Sequence, residues 1–140
     1  MSETSALVLS TLPHFAAAVP LILSGTEPAY LATILASSTL SVVWHLNKEP
    51  RGYLFYLDYG LAAAWTGADL YYAVKLWAPS ILLLNVLVLF TNALTDMASC
   101  AGGFDRHTYS RLHSIWHFIS AAKAIYVACV VAAWSVEGYN

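Results

Sequence analysis

Five residues have types and spacings that suit metal-assisted chemistry. His113 and His117 are four apart, as are Ser41 and His45. On a helix, an i, i+4 pair lies on one face, one turn above the other. Two imidazoles so placed can grip a single metal ion, and a third, His45, would come from another helix. Three histidines with a fourth position left open form a catalytic zinc arrangement. A zinc ion held by His45, His113 and His117 would lower the pKa of its water. Asp58 would then act as general base or orient that water. Ser41 would hold the water or donate to a developing oxyanion.

The elements that must position these residues follow from the apolar runs and their breaks. A spanning helix needs about 20 mostly apolar residues. The first such segment covers roughly residues 6–24. It holds His14 and is interrupted by Pro13 and Pro20, which predict a kinked or partly interfacial helix. The turn at Gly25-Thr26-Glu27-Pro28 leads into a second segment, 29–46. The run Asn47-Lys48-Glu49-Pro50-Arg51-Gly52 is a polar break. A third segment covers 53–76, and Pro79 opens a fourth over 80–95. Residues 96–107, with Gly102-Gly103, form the longest predicted loop, and the fifth segment covers 109–136. The expected fold is a single all-α domain, 1–140: a polytopic transmembrane bundle of about five spans.

Depth supplies an independent check. His45 lies three residues before Lys48, Asp58 seven after Arg51, and His113 and His117 two and six after Arg111. At about 1.5 Å per residue, all four fall within roughly 10 Å of one membrane face. Lys48, Arg51, Arg106 and Arg111 sit in two loops that five spans place on one side with the N-terminus. The bias of basic residues makes that side cytoplasmic or its equivalent.

Composition agrees. The chain of 140 residues is 59% hydrophobic and only 10% charged, against about 25% charged in a typical soluble domain. Its net charge of −2 gives no basic surface for nucleic acid. Cys100 and Cys129 have no spacing partner for a metal knuckle or redox pair, and are expected to be a loop thiol and a buried helix thiol. Glu3 stands where a secretory leader would carry a basic residue, so insertion is expected to rest on the helices themselves. Asp69 and Lys123 are ionisable residues within spans, expected to pair inside the bundle or to snorkel apart. His14 and His107 lack a partner set and are expected at interfaces.

Taken together, Ser41-x-x-x-His45, Asp58 on the next helix and His113-x-x-x-His117 on the last resemble the signature of the CREST superfamily. That group includes alkaline ceramidases, progestin/adipoQ receptors and myomaker-like proteins. The stretch Leu112-His113-Ser114-Ile115-Trp116-His117-Phe118 is similar in style to the last helix of the myomaker-like branch. The resemblance implies zinc on His45, His113 and His117, with Ser41 and Asp58 beside it. It also implies hydrolysis of a lipid amide or ester. Members of that group typically have seven spans, whereas this chain has room for about five.

The expected function is therefore a zinc-dependent membrane hydrolase acting on a lipid-like ester or amide. Its tail would stay in the bilayer while the scissile bond meets the metal. The alternative is a non-catalytic subunit of a larger membrane complex, packed against partner helices through its exposed sides. A proton relay or transporter is a weaker third reading, because no inverted repeat or pair of broken helices is present.

Overall fold

The computed structural model describes residues 2–101 and 103–138 and, among them, contains only helices, turns and loops. Five helical rods follow one another: Glu3–Ser24, Pro28–Leu46, Tyr53–Lys75, Pro79–Cys100 and Arg106–Val136. They are called the first to fifth helices below. The first, second, fourth and fifth are long and apolar enough to cross a membrane. The third has 23 residues, about 34 Å of helix, but Asp58, Asp69 and its glycines dilute its hydropathy.

Local chemistry sets the ends. Pro28 and Pro79 sit in the first turns of the second and fourth helices, where the missing N–H costs nothing. Asp105 caps the fifth by accepting from the backbone N–H groups of His107 and Thr108. Gly25 closes the first helix at φ +65°, a left-handed conformation open to glycine.

One boundary differs from the sequence expectation. The fourth helix continues to Cys100, so the loop expected over 96–107 shrinks to the few residues before Arg106. Nothing in Asp96-Met97-Ala98-Ser99 forbids helix, and the Thr95 and Ser99 hydroxyls bond back to backbone carbonyls along it. The first helix runs through its prolines as one rod, Glu3–Ser24, tightening into a 3-10 stretch over Leu12–Ala17, which absorbs the lost hydrogen bonding.

The helices close into a ring in sequence order, each packed against the next and the fifth against the first. One half of the ring interior is a packed core of Leu21, Ile34, Ile81, Val127, Val131 and their neighbours. In it Ala124, Ala128 and Ala132 of the fifth helix are buried. Small residues at this spacing let backbones approach closely where lipid offers no hydrophobic drive. The outside is apolar instead: Leu23, Val74, Leu83, Val86 and Phe90 are exposed.

At one end, Arg106 pairs with both Glu3 and Glu49, which gathers the N-terminus and the two basic loops together. At the other end, Glu27 accepts from Tyr72 and Ser135 at 2.5 and 3.1 Å. Cys100 and Cys129 are both free and exposed. The expected loop and buried thiols are therefore corrected: Cys100 ends a helix and Cys129 faces outward. His107 is exposed in the first turn of the fifth helix.

Candidate metal centre

The second and fifth helices run in opposite directions, so the end of one meets the early turns of the other. His45 is in the last turn of the second helix, and His113 and His117 are in the third and fourth turns of the fifth. All three are buried, at 0%, 4% and 1% exposure. One ring nitrogen from each lies within 4.8 Å of the other two, and the group could hold a metal ion. The ring centroids are 4.6–5.7 Å apart with steep interplanar angles. That geometry points nitrogens toward a common centre better than stacking would.

The hydrogen bonds around the cluster support the same role. His45 Nδ1 bonds the Glu49 carboxylate at 2.7 Å, and its Nε2 is buried with no partner. His117 Nδ1 lies 2.9 Å from Ser10 Oγ and 3.0 Å from Thr11 Oγ1. Both hydroxyls give their single proton to the Leu7 carbonyl, so they accept from His117. That assigns the proton to Nδ1 and leaves Nε2 with its lone pair. His113 Nδ1 is also buried without a partner. Stranded buried nitrogens are costly in a folded chain, and a metal ion would satisfy nitrogens of this kind. His45 and His117 are each fixed at Nδ1 by a carboxylate or hydroxyls, the usual support of a metal-binding imidazole.

Glu49 is the best supported of these partners. Its side chain is 6% exposed and also pairs with Arg106. Burial pushes its carboxyl up, but the bond from His45 and the charge of Arg106 outweigh it. The group is held below the usual carboxylate range.

Asp58 and Ser41 line the same cavity as His113 and His117. Asp58 is buried and Ser41 half-buried. The five residues singled out by spacing therefore come together at one end of the ring. The cavity has a volume of about 520 Å³ and takes lining residues from all five helices.

Several participants were not identified from the sequence. Ser10 and Thr11 looked like ordinary residues of an apolar segment. Glu49 looked like part of a polar loop, although its i+4 spacing from His45 was a usable signal. His14 is corrected: it is 9% exposed, not interfacial. It packs edge-on to His117 at 5.8 Å and meets Ser120 Oγ through Nε2 at 2.7 Å. The 3-10 winding carries it there. Asp69 and Lys123 form an interior ion pair at 2.5 Å; they do not snorkel apart.

Among known proteins, the chain matches no family model, no curated protein and no solved structure.

Proposed function

We propose that this chain is a zinc-dependent hydrolase of the bilayer that cleaves an ester or amide in a lipid-like substrate. The observation that carries the reading is the buried meeting of His45, His113 and His117, with nitrogens left unsatisfied by the protein itself. Imidazole sets also suit other transition metals; the resemblance to the CREST superfamily on the same residues is the reason to choose zinc. When bound, zinc would supply Lewis acidity and lower the pKa of a coordinated water.

The remaining work falls to the chain. Glu49, Ser10 and Thr11 hold two imidazoles in the tautomer that presents Nε2. Asp58 takes the proton of the attacking water and returns it to the leaving oxygen or nitrogen. Ser41 donates to the carbonyl oxygen as charge builds on it. Water adds across the carbonyl, the carbon–oxygen or carbon–nitrogen bond breaks, and a carboxylic acid and an alcohol or amine leave. The cavity receives the apolar part of the substrate. The end bearing Lys48, Arg51, Arg106 and Arg111 faces the cytoplasm or its equivalent.

The test is metal content of the detergent-purified protein, wild type against a His113→Ala/His117→Ala double variant, followed by a lipid ester and amide hydrolysis screen. About one zinc per chain, lost in the variant, and turnover that depends on it are expected. A well-folded wild type that takes up no metal would end this reading.

A further inference from the structure

The cavity does not stop at the histidines. Ser38 lies seven residues before His45 on the second helix, and Lys123 lies six after His117 on the antiparallel fifth. At about 1.5 Å per residue, these are about 10 and 9 Å below the metal cluster. Two opposed helices thus bring a serine and a lysine to one level, and both line the cavity. His14 and Ser120, bonded to each other, line it one turn higher.

This inner end is built for hydrogen bonding. Ser38 is 2% exposed, and its Oγ is buried with no partner in the protein. A helical serine normally returns its proton to a carbonyl one turn back; this one does not. Lys123 gives one proton to Asp69 at 2.5 Å and one to Asn85 at 3.3 Å. An ammonium has three, so one remains for the cavity. Asp69 cancels the lysine charge, and its second oxygen is taken by Tyr30 at 2.5 Å. The inner end therefore offers a donor and a donor–acceptor with no net charge.

A plain hydrocarbon tail lying here would bury both groups unsatisfied, which costs free energy. A charged group would find its counter-charge already paired, at a depth where free charge is expensive. The fitting occupant is an uncharged group that both donates and accepts.

We propose that the inner end of the cavity is a binding subsite for a hydroxyl carried part-way along the acyl chain, so that the substrate is a hydroxylated acyl lipid. The proposal rests on the hydrolase reading for the position of the scissile bond, about 9 Å away. The hydroxyl accepts from Lys123 and exchanges a hydrogen bond with Ser38.

The test uses the acyl half of such a substrate. Binding of stearic acid is compared with a series of hydroxystearic acids, the hydroxyl moved carbon by carbon, on full-length protein in detergent. Each titration is run on zinc-loaded and on chelator-treated protein. The wild type is expected to favour one mid-chain isomer over stearic acid by about tenfold, the worth of one net hydrogen bond. Ser38→Ala is expected to lose that preference, binding the hydroxylated isomer more weakly and stearic acid no more weakly than wild type does. Because Ser38 Oγ has no hydrogen-bond partner in the protein, this variant removes no internal hydrogen bond. A wild type indifferent to the hydroxyl, or a Ser38→Ala variant that keeps the preference, would overturn the subsite. A positional preference that persists in a protein with no zinc response would support the subsite and count only against the metal reading.

Discussion

Glu49 Oε1 lies 2.7 Å from His45 Nδ1, with a buried carboxylate on one side and a buried imidazole on the other. The bond fixes the ring's orientation and leaves Nε2 to face the other two histidines. Arg106, in the first turn of the helix that carries His113 and His117, holds the same carboxylate. One side chain therefore fastens the two metal-bearing helices together. Loss of such a partner typically costs 10–100-fold in metal affinity, roughly. Glu49→Ala is expected to fall in that range by competition with a chromophoric chelator, with Glu49→Gln between it and wild type. Equal zinc affinity in Glu49→Ala would remove the positioning role.

The loop that delivers Glu49 is strained. Lys48 and Glu49 are consecutive non-glycine residues at φ +62° and +57°, each costing on the order of 1–2 kcal/mol relative to right-handed backbone. The left-handed pair lets the Lys48 and Glu49 amides bond back to His45 and Trp44 at 3.0 Å each. Lys48 is exposed, so its side chain can be removed with little else disturbed. Lys48→Gly is expected to raise the thermal midpoint by relieving strain, offset in part by a looser unfolded chain, with zinc affinity unchanged. A lower midpoint would show that the Lys48 side chain contributes more than its backbone strain costs.

Deeper in the ring, Asp69 and Lys123 are 0% and 8% exposed. Removing one partner of a buried pair leaves an uncompensated charge, at a cost of about 3–5 kcal/mol. Asp69→Asn is expected to destabilise the detergent-solubilised protein by that order. An Asp69→Asn/Lys123→Met double variant is expected to recover much of the loss. If the double variant is as unstable as the sum of its singles, the coupling between the two charges is absent.

At the other extreme, Asp105 is exposed and caps the fifth helix. Its bonds from the Thr108 hydroxyl and from the His107 and Thr108 amides hold its carboxyl below the usual range. A depressed pKa means the folded state favours the ionised form. The cap is then fully present above the ordinary aspartate pKa and is lost as pH falls through the lowered one. Amide exchange at His107 and Thr108 should therefore quicken on acidification, and Asp105→Ala should show the fast rate at neutral pH. Exchange independent of pH below the aspartate range, after correction for intrinsic rates, would contradict the capping.

Five helices, their approximate ends and the common level of His45, Asp58, His113 and His117 were legible in the amino-acid sequence. Length, apolar content and proline or glycine breaks decide where a helix can lie in a bilayer. A fixed rise per residue then decides depth. Periodicity also places His113 and His117 on one face without reference to any neighbour. The extension of the fourth helix to Cys100 was hidden because small polar residues near a glycine pair suit a helix end and a loop equally well.

What only the tertiary structure decided is which face meets which. Ser10 and Thr11 lie 107 and 106 residues from His117, His14 lies 106 from Ser120, and Glu49 lies 57 from Arg106. Depth brings such residues to one level, but several rotations of each helix satisfy depth equally. The rotation is chosen by packing the whole ring: the alanines of the fifth helix against their neighbours, the 3-10 turn that swings His14 inward, and the pairing of Asp69 with Lys123. Those are sums over contacts between distant segments, so they are decided only when all five helices are in place.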